Sequence, residues 1–384
     1  MPSTSRSPGR GLALALLVLP GILAVAPAKE IEMVMPGPIN VSQVQFSDRL
    51  HGVAMGIHAK NTPGSAIVWS DDGGDTWKDA AIRGDVDGAE PESLFLIDRQ
   101  VGWALMCGLN PRRQILLKSE DGGKSWKQQA APDLEKAWVL SQIWFDHQGK
   151  CGWINTCSGP LLATSDGARS WKPVEVARYE NGPFLAEGKP LPPTFEHAGM
   201  HVFSLEHVIL GGYAGVILQS TDAGRTWKGR QVALEPSSAK QMRASLRAIH
   251  FTAGGRAGWA VGGEGDEIRN SNSWAQLRHP VVFSTADGGD TWQRSKVEVR
   301  GPLNDVWAIS ANEAWICGLG GYALQTPAPG CLRHTLDGGK TWINEHPGID
   351  GLRKLFFLDA QHGWVAGGVG GGQTAESVML LIRP

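Results

Sequence analysis

The chain has 384 residues, 42% of them hydrophobic and 19% charged, with a formal net charge of −2. That balance excludes a disordered chain and leaves no electrostatic case for a nucleic acid or an anionic membrane surface as partner. Gly at 50 and Trp at 16 stand in excess, and no segment sustains a 3.6-residue period, so the class is all-β, with short strands and tight turns.

In chain order, the first element is a leader. Arg6 and Arg10 precede an almost wholly apolar run from Leu12 to Ala26, followed by Ala26-Pro27-Ala28. Residues 1–28 read as a secretory signal peptide cleaved after about Ala28. A retained anchor helix is the alternative, disfavoured by the short run and by Pro20 and Gly21. Residues 29–384 then form a single β-propeller domain outside the cytoplasm, periplasmic or extracellular. Next comes Glu30 to Met35, strand-like and without a neighbouring strand in sequence.

From there to the C-terminus the chain repeats. Six segments share Ser/Thr-x-Asp-x-Gly-x-Thr/Ser-Trp: Ser70–Trp77, Ser119–Trp126, Thr164–Trp171, Ser220–Trp227, Thr285–Trp292 and Thr335–Trp342. The third has Ala168 in place of the later Gly. Upstream of each box, and once more after the last, lies a second motif, as in Val101-Gly-Trp-Ala, Cys151-Gly-Trp-Ile, Ala257-Gly-Trp-Ala, Glu313-Ala-Trp-Ile and His362-Gly-Trp-Val. His51-Gly-Val-Ala and His207-Val-Ile-Leu are weaker copies. Each is preceded by a strand ending in Asp, Ser or Thr. One unit is therefore strand A, turn, strand B with Gly-Trp, loop, strand C, box turn, strand D, which is the four-stranded antiparallel blade of a propeller.

Seven A–B copies stand against six boxes. The seventh copy, Leu352 to Leu381, stops after strand C, and the strand at Glu30 to Met35 is the natural donor of its missing outer strand. A ring closed in this way leaves no long sheet edge exposed.

The box aspartates, Asp72, Asp121, Asp166, Asp222, Asp287 and Asp337, recur at one position of six blades. The expectation is structural: an Asp in a tight turn accepts hydrogen bonds from nearby N–H groups while Gly supplies positive φ. Eleven of the sixteen Trp belong to the boxes and Gly-Trp strands and are expected to pack between blades.

Five cysteines remain. Cys151 and Cys157 sit too far apart on one strand to bridge each other, whereas Cys317 and Cys331 flank a hairpin, which leaves a disulfide between them open. Zinc-ligand spacing is absent, and no metal or cofactor is expected.

These repeats resemble BNR/Asp-box repeats. Blade number, leader and length make residues 30–384 most similar to the photosystem II stability/assembly factor family of seven-bladed propellers. That resemblance implies a non-enzymatic assembly or stability factor that binds an exported or membrane protein segment through a basic patch, in the lumen if the host is photosynthetic; the protein itself is expected to be a monomer. Sialidases also carry Asp boxes, so a glycan-binding or glycoside-hydrolase propeller is the alternative. Their chemistry needs an Arg triad and a Tyr/Glu pair, and this chain offers only Tyr179, Tyr213 and Tyr322 and no Phe/Tyr-Arg-Ile-Pro motif.

A–B turns and boxes belong on one face of the ring, and B–C and D–A connections on the other. The long insertions all fall on that second face, where loops on a rigid scaffold carry function. The candidate partner-binding residues are Arg112, Arg113, Arg269 and Arg278 in B–C loops, Arg243 in a D–A connection, and Arg247, Arg353 and Lys354 at the starts of strands A near the central channel. Trp274, inside an insertion, is the candidate apolar anchor.

Overall fold

The computed structural model describes residues 30–34, 39–58, 65–109, 112–132, 140–156, 159–176, 197–213, 215–232, 242–266, 279–299, 301–318, 330–345, 351–369 and 376–383. Its regular elements are strands in seven sheets. The first described element is β1 (Glu30–Val34). Blade 1 is β2 (Ile39–Phe46), β3 (Gly52–His58), β4 (Ser65–Ser70) and β5 (Lys78–Asp79). After β6 (Ala81–Arg83), blade 2 is β7 (Ala89–Leu96), β8 (Gly102–Leu109), β9 (Arg112–Ser119) and β10 (Ser125–Gln129). Blade 3 is β11 (Leu140–Phe145), β12 (Gly152–Thr156), β13 (Leu161–Thr164) and β14 (Lys172–Val174). Blade 4 is β15 (His197–Val202), β16 (Val208–Gly212), β17 (Val216–Ser220) and β18 (Lys228–Gln231). Blade 5 is β19 (Met242–Phe251), β20 (Gly258–Asp266), β21 (His279–Thr285) and β22 (Gln293–Ser295). Blade 6 is β23 (Leu303–Ala308), β24 (Ala314–Gly318), β25 (Cys331–Thr335) and β26 (Ile343–Asn344). Blade 7 is β27 (Leu352–Phe357), β28 (Gly363–Val369) and β29 (Glu376–Arg383).

The closure expected from the missing box is present. β1 lies antiparallel on β29, from Glu30 opposite Arg383 to Val34 opposite Met379, and completes blade 7. Arg383 binds Glu32 and Asp75, and Trp364 Nε1–H donates to the Gly73 carbonyl at 3.0 Å, so blade 7 is sewn to the first box as well.

One blade departs from four strands. β6 pairs parallel with β10 as a fifth strand, and Ile82 covers Trp126. Trp126 is accordingly 1% exposed, whereas the other box tryptophans stay half-buried.

The blades cohere through aromatic contacts. Trp364 of blade 7 stacks on Phe46 of blade 1 at 3.8 Å, and Trp103 of blade 2 stacks on Phe145 of blade 3 at 4.7 Å. The box tryptophans meet the same phenylalanines edge-on, Trp77 on Phe46 and Trp171 on Phe145. Such pairs add to plain area burial, which explains the Trp excess.

The disulfide left open is excluded by register. Cys317 lies opposite Leu332, and Cys331 lies opposite Gly318, one residue out of step. Alternation then sends the two side chains to opposite faces of the sheet, Cys317 into the core shared with blade 7 and Cys331 into the core shared with blade 5. Both thiols are free. Burial pushes Cys331 up to about 12, so its thiolate does not form near neutrality.

Candidate functional site

The first face of the ring is built by the six boxes. In each, the opening Ser or Thr hydroxyl donates to the Asp and accepts a backbone N–H, as in Ser220 to Asp222 at 2.9 Å and Gly224 N–H to Ser220 at 2.8 Å. The Asp then takes the N–H and hydroxyl of the residue four on, at 2.9 and 2.7 Å for Thr226. Each box also donates an N–H to the A–B turn of its own blade, from Gly73 to Leu50 through to Gly338 to Asn312. The A–B turns and boxes therefore share one face, as expected. Hydrogen bonds from the following Thr or Ser, hydroxyl first and then backbone N–H, hold Asp166, Asp222, Asp287 and Asp337 at about 2. At Asp72 the same bonds outweigh an opposing burial and also give about 2.

The opposite face is organised by something the sequence reading did not single out. The first strand of each blade packs against the first strands of its neighbours, so these seven line the axis. Every one of them breaks register at the same place, leaving one extra residue unpaired: Ser42, Glu92, Ser141, Ala198, Arg247, Asn304 and Arg353. A β-bulge re-aims the side chain it adds. Here seven bulges form a collar around the channel mouth.

Strand B makes the bulge possible. In blades 1, 4, 5, 6 and 7 the residue opposite the one before the bulge is glycine: Gly56, Gly212, Gly262, Gly318 and Gly367. A Cβ at Gly262 would lie 1.8 Å from the Ser245 carbonyl oxygen, and one at Gly56 would lie 2.2 Å from that of Asn40. Only a missing side chain lets the backbones approach so closely. The signal was available in sequence. Strand B reads Gly-x-x-x-Gly in Gly52 to Gly56, Gly258 to Gly262 and Gly363 to Gly367. In strand A the core-facing residues stand three apart across the polar or small doublet, as in Val41-Ser-Gln-Val44 and Leu352-Arg-Lys-Leu355.

Below the bulge, strand A residues latch onto the next blade. Gln43 Nε2–H donates to the Glu92 carbonyl at 3.0 Å, Ser93 Oγ accepts the Ile143 N–H at 3.2 Å, and Asp305 Oδ2 accepts the Leu355 N–H at 2.8 Å. Three residues after each bulge stand Gln45, Phe95, Trp144, His201, His250, Trp307 and Phe356. They form a mostly aromatic ring in which Phe95 meets Trp144, and His250 stacks on Trp307 at 4.1 Å. Burial, with His207 adding, lowers His201 to about 4. Burial also carries His250 well below its ordinary value, so both stay neutral at physiological pH.

Among the candidates, the structure moves four. Arg112 and Arg113 belong to strand β9, not to a B–C loop, because β8 and β9 pair out to Leu109 opposite Arg112. Arg243 lies in β19 opposite Gly265 instead of in a connection, because this innermost strand runs for ten residues, the longest among the described strands. For the same reason Arg247 stands mid-strand. Arg269, Trp274 and Arg278 lie outside the described residues.

Several expected contacts are already used internally. Arg113 is bidentate on Asp85, at 2.8 and 3.0 Å, and reaches the Asp87 carbonyl. Lys354 lies 3.2 Å from the buried Asp305, a pair that bridges blades 6 and 7. Two arginines remain on the collar. Arg247 donates to Asn304 Oδ1 at 2.7 Å, and Asn304 donates on to the Leu352 carbonyl at 2.8 Å. Arg353 is exposed, with no partner among the described residues.

Glu92 is the residue missed altogether. Burial, reinforced by the Glu90 carboxylate, pushes it up to about 7, and among the described residues no donor or cation stands against its carboxylate.

No family model matches the chain. Over 304 residues, 67% of this chain and 70% of the relative, it is 23% identical to "Photosystem II stability/assembly factor HCF136, chloroplastic" of Arabidopsis thaliana. The chain is similar to the photosystem II stability/assembly factors. That likeness bears out the resemblance read from the repeats. Among solved structures, YCF48 bound to a D1 peptide is 17% identical with a TM-score of 0.62, over 94% of this chain and 97% of that one. YCF48 from Cyanidioschyzon merolae is 18% identical with a TM-score of 0.60, over 92% and 98%. An ulvan polysaccharide lyase bound to a sugar is 9% identical with a TM-score of 0.58, over 92% and 96%. At these identities the structural likeness carries the fold alone.

Proposed function

We propose that this protein is an exported, non-enzymatic scaffold whose collar face binds an extended segment of another exported or membrane protein, as an assembly or stability factor does. The observation that carries this reading is the collar itself. Seven bulges repeat a backbone feature while their side chains differ on almost every blade, and the cations gather on blades 5 to 7, where Arg353 has no partner among the described residues. Arginine beside a channel of half-buried aromatic side chains is a combination suited to anchoring a partner. The curated relative is named a stability/assembly factor, and a solved propeller of like fold holds a peptide, which supports the same reading. The six box aspartates brace turns and take no part in binding. The leader sends the protein to the periplasm or cell exterior, or to the lumen in a photosynthetic host.

Charge complementarity of this kind steers approach and selects partners, and salt screens it. Protein purified from its host carries a mature N-terminus near Lys29 and captures a defined set of exported partners. The Arg247→Glu/Arg353→Glu variant, folded as judged by its melting curve, loses those partners, as does the wild type at about 1 M salt, where screening acts within about 3 Å. An unchanged set of captured proteins would overturn the reading.

A further inference from the structure

The collar carries one acidic residue, and it is unlike its counterparts. Ser42 and Ser141, on the blades to either side of Glu92, donate to the carbonyls of Met55 and Asn155 at 3.5 and 3.3 Å, and Asn304 is bonded on both sides. Glu92 alone puts a carboxylate at a bulge position, part-buried, with no partner among the described residues and with Glu90 of the same sign acting on it. Removing a carboxylate from water without a partner is costly, and such groups persist where a ligand completes them. Arg353 on blade 7 is in the matching position with the opposite sign. Only the bulge of blade 1 separates the two, and it holds the short side chain of Ser42.

Resting on the scaffold reading, we propose that the collar is a two-pole peptide site: Arg353 with Arg247 takes a carboxylate of the bound segment, and Glu92 takes a lysine or arginine of the same segment. The bound peptide is therefore locally zwitterionic, not merely acidic. Specificity follows because a wholly acidic segment would lay a negative charge against Glu92, whereas one with a base correctly spaced pairs both poles. Glu90 is the charged group that acts on Glu92, and the flanking Gln43 and Ser141 are neutral. Binding of the cationic group therefore strengthens as pH rises through about 7, where Glu92 gives up its proton.

The test uses the full mature protein and fluorescently labelled synthetic peptides of Asp, Gly and Ser, with one Lys moved along the chain or replaced by Gln. Wild type binds the best-placed Lys peptide about tenfold more tightly than its Gln counterpart, as a charge-assisted hydrogen bond implies. Glu92→Gln and Glu92→Ser, the latter copying blades 1 and 3, lose that preference: the Lys peptide binds less tightly than to wild type, and the acidic Gln peptide, relieved of a like charge, binds at least as tightly. Arg353→Gln weakens both peptides and keeps the preference. Retention of the lysine preference in both Glu92 variants, or its absence from wild type, overturns the two-pole site and leaves the scaffold reading intact. Failure of wild type to bind any acidic peptide overturns both.

Discussion

The two faces of this ring are made by the same repeat and are opposite in character. On the box face both backbone and side chains recur: six times a hydroxyl, a carboxylate and a turn N–H close the same network and dock on the same A–B turn. On the collar face only the backbone recurs. Seven bulges stand at one height, yet they present two serines, an alanine, an asparagine, two arginines and a glutamate. A repeat that keeps its side chains is maintaining the scaffold. One that keeps its geometry and varies its side chains is displaying a surface.

The largest effect that would break this contrast comes from Gly262→Ala. The added Cβ meets the Ser245 carbonyl at 1.8 Å and the Arg247 N at 3.1 Å, so β19 and β20 must separate where the bulge forms. Overpacking of backbone against backbone puts the loss at about 3 kcal/mol or more, read from denaturant unfolding, with peptide capture falling alongside. Unchanged stability would mean that the close approach of strands A and B is not what shapes the collar.

The pH dependence of stability differs in sign between the faces. A box carboxylate such as Asp337, held at about 2 in the folded chain, contributes stability that is fully present above the unfolded value near 4 and is lost as pH falls from there to about 2. Asp121→Ala, which removes bonds from Ser119 and Ser125, lowers the melting temperature by about 2–4 °C at neutral pH. The difference from wild type narrows in acid, and peptide binding stays as in wild type. Glu92 behaves the other way. Its folded value is raised to about 7, so stability is greatest below the unfolded value and declines as pH rises to about 7. Melting curves of Glu92→Gln should match wild type near pH 4 and exceed it at pH 8. A wild type more stable than Glu92→Gln at pH 8 would mean that the carboxylate has a partner within the chain.

The smallest effect sharpens the box side. Ala168 and Ala223 hold positive φ, 67° and 61°, at turn positions where other boxes have Gly. Ala168→Gly should add about 0.5–1 kcal/mol, since an L side chain is disfavoured in that conformation. A loss in thermal unfolding would show that the Ala168 methyl, buried against Phe145, outweighs the backbone cost.

Not every residue was equally legible. The boxes announced themselves because their network closes within eight consecutive residues, and the Gly-Trp motif marked strand B because its Trp is buried whichever blade follows. The missing seventh box was enough to find the donor strand β1. Arg112, Arg113 and Arg243 were misplaced because nothing local says how far a hairpin continues to pair once its alternation weakens. The fifth strand of blade 2 was missed since β6 is only three residues long and joins a sheet other than the one it leaves.

By itself the amino-acid sequence determined the blade, the number of blades and the strand that closes them, because periodicity, turn chemistry and a repeated hydrogen-bond network are all local. Tertiary structure decided which charges are free. Lys354 and Arg113 are paired by partners that sequence reading had not matched to them, Asp305 on the preceding blade and Asp85 in the stretch leading into blade 2, while Arg353 and Glu92 are brought to one collar and kept apart by the blade between them. A charge is free or spent according to what register and ring closure set beside it, and that depends on residues up to several hundred positions away.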